Sequence, residues 1–189
     1  MPIPRNWVEE LAVEWLTIKG YLAESNVRLK AGSHGGVAEA DVVGAQIIHN
    51  QLEIIHVETG SLSEGFERNI EWVKRKFEEK RQKEIVNTFE YRLEWEYGFG
   101  YRSIFVATYA SKPHEMKRQL DVNKIEFLML KDFIKQEVLL AIDTWKREQI
   151  QAGRRKTQTI KLLTLPDCYW LLNLLDYLKL SSGLNFLWD

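Results

Sequence analysis

With 189 residues, 45% of them apolar and 28% charged, the chain is long enough for one well-filled domain of ordinary globular composition. A formal charge of −1 excludes a bulk electrostatic footprint for nucleic acid, although a local basic face stays open. A lone cysteine, Cys168, rules out an internal disulfide; with no stretch near the roughly 20 apolar residues of a membrane span, it predicts a cytoplasmic protein without a membrane partner.

Asn6 is a natural N-cap for a helix over 7–19, with Glu9 and Glu10 in its first turn and Val8, Leu11, Ala12, Trp15, Leu16 and Ile18 at helical spacing. Gly20 closes that helix as a left-handed C-terminal residue. An extended segment ends in Asn26-Val27-Arg28-Leu29, and a glycine-rich loop, Ala31 to Gly36, leads into a strand pair over 38–48 and 52–59. Ser63, Phe66, Ile70, Val73 and Phe77 predict one long helix from 63 to about 89. Its interleaved lysines, arginines and glutamates read as a solvated face laced with i,i+4 pairs. Later strands are expected at 102–109 and 125–130, and helices at 114–120, 132–151 and 164–180. Cys168 falls in the apolar run of the last helix and is expected to be buried. The fold class is therefore α/β, a central mixed sheet flanked by helices. Residues 1–189 form a single domain with its core over 7–130 and C-terminal helical elements over 132–180.

The strand pair carries the chemistry. With a turn around His49, Asn50 and Gln51, antiparallel partners sum to about 100, which sets Asp41 opposite position 59 and beside Glu58. His56 and Glu58, two apart on one strand, point to the same face. A carboxylate facing a His/Glu pair is a candidate divalent-metal site made of Asp41, His56 and Glu58. Each has a plainer reading: Asp41 as a strand-end acid with a local hydrogen bond, Glu58 as an exposed strand-end group, and His56 as a satisfied sheet histidine.

Glu9-Glu10-Leu11-Ala12 with Leu16, Gly20-Tyr21, Asn26-Val27-Arg28, Glu39-Ala40-Asp41-Val42-Val43 and Val57-x-Thr59-Gly60, taken in order, resemble the PD-(D/E)XK, or restriction-endonuclease-like, nucleases. Small predicted nucleases and archaeal Holliday-junction-resolvase-like proteins are the branches most alike. The resemblance covers residues 7–61, and it implies a metal-dependent nuclease hydrolysing phosphodiesters of DNA, or of RNA. Asp41 would be the metal-binding aspartate and Glu9 an accessory carboxylate. His56 stands where the second acid is expected, and Glu58 where the lysine is expected. Mg²⁺ is the ion such sites hold, and a histidine ligand shifts the preference toward Mn²⁺. The catalytic set is thus Asp41, His56, Glu58 and Glu9. Arg28, Lys30, Arg102 and the basic run over 146–161, with Lys146, Arg154, Arg155 and Lys156, are candidate phosphate contacts, the plainer reading of the run being a solvated loop. Homodimerisation is open. The two departures also admit a second expectation: a nuclease-fold protein that has lost catalysis and binds nucleic acid or a partner.

Overall fold

The computed structural model describes residues 6–29, 38–152 and 163–181. Helix α1 (Trp7–Ile18) begins at Asn6, whose side chain accepts the amides of Val8 and Glu9, and ends at Gly20 with φ +88°. Strands β1 (Leu22–Arg28), β2 (Glu39–Ile48) and β3 (Gln51–Leu62) form an antiparallel meander. The β2–β3 hairpin turns on His49 and Asn50, both left-handed (φ 49° and 59°), with Ile48 opposite Gln51. Two consecutive residues at positive φ give the mirror-image two-residue turn whose twist suits paired strands. Partners therefore sum to 99.

The long helix expected over 63–89 is two helices, α2 (Phe66–Lys76) and α3 (Glu79–Leu93). No glycine or proline divides them. Phe77 is buried in an apolar cluster with Ile70, Val73 and Phe105 and lies against the His56 ring at 4.8 Å, so packing turns the chain where propensity would continue it. Strand β4 (Phe99–Ala110) then runs parallel to β3, and after α4 (Pro113–Asp121) strand β5 (Ile125–Met129) runs parallel to β4. The mixed sheet has the order β1-β2-β3-β4-β5. A helical run follows, α5 (Leu130–Phe133), a π-helical turn over Ile134–Val138 and α6 (Leu139–Gln151).

One sheet face, with Val42, Ile55, Val57, Ile104, Val106 and Leu128, packs against α1, α6 and α7 (Trp170–Leu180). Gly44 lets α1 approach closely, since a Cβ there would come within 3.0 Å of both Leu16 methyls. The other face divides into two apolar clusters, one under α3 and one under α2 and α4. Helix α7 starts later than expected, after a turn in which the Tyr169 amide bonds the Pro166 carbonyl, and that turn leaves Cys168 exposed rather than buried. The buried Glu14 carboxylate on α1 accepts the Leu171 and Leu172 amides, capping α7 from another helix. No helix among the described residues is long and apolar enough to cross a membrane.

Candidate functional site

The site lies where β2 and β3 part. Their ladder ends at Val42 opposite Val57; just beyond it, the Thr59 amide donates to Asp41 Oδ2 at 2.8 Å, so a side chain replaces the missing strand partner. The Thr59 hydroxyl approaches the same oxygen at 3.4 Å. Asp41 and Glu58 are thereby brought side by side, as the hairpin register implied.

A lysine unforeseen in the sequence joins them. Lys76, in the last turn of α2, sets its ammonium 2.6 Å from Glu58 Oε2 and 3.7 Å from Asp41 Oδ1. Its other neighbour is the Trp72 ring, 5.4 Å from the ammonium to the centroid. Helix spacing carried a faint signal for this. Asn69 and Val73 are buried, and Lys76 continues their 4-3 interval on the inward side of α2. Within a run of alternating charges it looked like one more solvated cation.

Glu58 is wholly buried, contrary to the exposed strand end that its position suggested. Its Oε1 pairs with His56 Nε2 at 2.9 Å, and His56 Nδ1 pairs with the Tyr101 hydroxyl at 3.0 Å. Both ring nitrogens are engaged, so His56 does not present a ligating atom beside Asp41. Tyr101, on β4, is the second residue that motif reading missed.

The two carboxyls titrate differently. Burial pushes Glu58 upward, but the hydrogen bond from His56 and the Lys76 ammonium outweigh it, and Glu58 stays below its ordinary range. Burial, followed by the Glu58 charge, lifts Asp41 to about 6 against the pull of Lys76 and the Thr59 amide. Glu9, buried at the start of α1 and bonded by the Asn6 side-chain amide at 2.7 Å, lifts it further. Thus Glu58 keeps the charge that Lys76 neutralises, and Asp41 is short of a cation.

No group of three or more His, Cys, Asp or Glu side chains among the described residues is arranged to hold a metal ion, so the expected trio Asp41, His56 and Glu58 does not form a three-ligand set. The pair Asp41 and Glu58 still fits a hard cation, because Mg²⁺ commonly uses one or two carboxylates with waters and substrate phosphate completing its shell. The case for a softer ion rested on His56 as a ligand and loses that support.

Of the expected phosphate contacts, Arg28 is exposed. Arg102 is committed elsewhere, with Nε 2.9 Å from Glu126 and Nη2 2.6 Å from Glu137. Lys30, Arg154, Arg155 and Lys156 lie outside the described residues. Lys146, at the head of the basic run, is buried against Asp176 at 2.6 Å and faces inward. Comparison with family models, curated proteins and solved structures finds no match to the chain.

Proposed function

We propose that the chain is a metal-dependent nuclease that hydrolyses phosphodiester bonds in DNA, with a divalent cation, Mg²⁺ or Mn²⁺, held by Asp41 and Glu58. One observation carries the reading: two carboxylates from parted strands and one helix-borne ammonium converge, with Lys76 Nζ 2.6 Å from Glu58 and 3.7 Å from Asp41. Bound there, such a cation supplies charge neutralisation at the phosphate and an activated water. Asp41 and Glu58 provide the negative charge that holds it, and Glu9 adds to the field felt by Asp41. Lys76 takes the part that the nuclease pattern gives to a strand lysine, stabilising charge on the phosphate, while Glu58 takes the part of the second acid. His56, expected as that acid, stands behind Glu58 instead. Arg28 is the exposed cation left to contact the phosphate backbone among the described candidates.

The test is cleavage of labelled single-stranded, duplex and branched DNA, and of RNA, with Mg²⁺ or Mn²⁺ supplied and then chelated. The reading predicts hydrolysis that needs the ion and disappears in Asp41→Ala. Absence of hydrolysis of every substrate under both ions contradicts it.

A second reading, a nuclease-like protein that binds without cleaving, is favoured by the complete burial of Glu58 and its existing pairs with His56 and Lys76. Calorimetry separates the two. Retained DNA binding with no uptake of either ion selects the binding protein.

A further inference from the structure

His56 and Tyr101 form a chain of hydrogen bonds that ends on Glu58 and has no role in the chemistry described so far. Tyr101 Oη lies 3.0 Å from His56 Nδ1, and His56 Nε2 lies 2.9 Å from Glu58 Oε1. His56 and Glu58 are both wholly buried, so water does not compete for these bonds. The Phe77 ring, 4.8 Å from the imidazole, and the edge-on Tyr101 ring at 6.2 Å restrict its rotation.

The direction of each bond follows from the acceptor at the end. Glu58 holds the Lys76 ammonium at Oε2, 2.6 Å away, so as a carboxylate it accepts at Oε1, and His56 Nε2 carries the hydrogen it receives. Burial and then the Glu58 charge hold the Tyr101 hydroxyl protonated, so it donates to the bare Nδ1. The result is one tautomer and one ring orientation. Because Oε1 is taken by His56, Oε2 is turned toward Lys76, and Lys76 lies beside Asp41.

We propose that Tyr101 and His56 are positioning residues: Tyr101, donating to Nδ1, holds the ring of the Nε2–H tautomer in place, and His56 fixes the Glu58 carboxylate so that Oε2 is presented toward Asp41 for a shared cation. The last clause rests on the reading of Asp41 and Glu58 as the cation-holding pair; the tautomer does not. Partners that orient a ligand in this way are commonly worth about 10- to 100-fold in metal affinity. A histidine that merely fills the sheet has no such effect.

The experiment uses the full chain and four proteins: wild type, Tyr101→Phe, His56→Gln and His56→Leu. Ring nitrogen shifts of His56 report the tautomer, calorimetry reports Mg²⁺ affinity, and thermal unfolding reports whether each variant is folded. Wild type is expected to show Nε2–H alone. Tyr101→Phe, which removes one hydroxyl and keeps the ring, is expected to shift the Nδ1 resonance, which loses its donor, and weaken Mg²⁺ binding by about 10-fold or more while remaining folded. His56→Gln, which still offers an N–H to Glu58, should recover part of the affinity lost in His56→Leu. An Nδ1–H ring in wild type overturns the proposal. So does a Tyr101→Phe protein with an unchanged Nδ1 resonance and unchanged affinity. A wild type that takes up no Mg²⁺ but has an Nε2–H ring whose Nδ1 resonance moves in Tyr101→Phe overturns the metal reading and supports the link by the ring shifts alone.

Discussion

Asp41 has the most adjustable charge in the site. An aspartate in the unfolded chain titrates near 3.9, whereas Asp41 titrates at about 6 in the fold. Between those values the folded state binds more protons than the unfolded one, so stability present below about pH 4 is lost as pH rises through about 6. The shift corresponds to about 3 kcal/mol at most. Asp41→Asn retains a carbonyl for the Thr59 amide and removes the repulsion from Glu58. It is expected to stabilise the cation-free protein by about 1–2 kcal/mol near neutral pH and to give no gain near pH 4, as read by urea unfolding at both. Added Mg²⁺ should reverse the order, stabilising wild type and leaving the variant unchanged. Asp41 and Glu58 were legible in the sequence because a hairpin register and a two-residue period place them. Lys76 and Tyr101 were not, because each reaches the site from an element whose position only tertiary packing decides. The His56 assignment failed for a related reason: period shows which face a residue takes, not which neighbours occupy its nitrogens.

Helix α2 delivers Lys76 only because it stops at Phe77. A continuous helix through 63–89, which the apolar spacing implies, would carry Phe77 and Lys76 around the same axis without a turn to lodge the ring against His56. Tertiary burial of one phenylalanine breaks the helix at Phe77 and Glu78, and α3 resumes it from Glu79. Phe77→Ala is therefore expected to cost about 3–5 kcal/mol, measured by denaturant unfolding. It should also loosen the Lys76–Glu58 pair, which loses its packing wall. A variant within about 0.5 kcal/mol of wild type would show that the break has another cause. Helix α1, by contrast, was readable to its caps, since Asn6 and Gly20 are local signals that need no partner.

Across the whole molecule, the antiparallel meander followed by helix-linked parallel strands was foreshadowed by apolar periodicity, and all five expected strands occur. The C-terminal region was read less well. Its basic run looked like a solvated or phosphate-facing loop, yet Lys146 is buried and paired with Asp176 on α7 at 2.6 Å. With Lys179 and Asp143 at 2.7 Å, that pair ties α7 to α6. Asp176→Leu leaves an ammonium buried without its partner and is expected to cost about 3–5 kcal/mol, while the double change with Lys146→Met should restore most of it. Unfolding midpoints of the three proteins decide this, and equal loss in the single and double variants would mean that the pair is not what holds α7.

The proposed nuclease reading depends on Lys76 standing in for a lysine that the strand lacks. The measurement that bears on it most directly is the rate of ion-dependent DNA cleavage by Lys76→Met against wild type. With the two carboxylates intact, the variant should still bind the cation but cleave about 100-fold more slowly or worse, as expected when a charge-stabilising donor is removed. A variant that cleaves as fast as wild type would contradict the account.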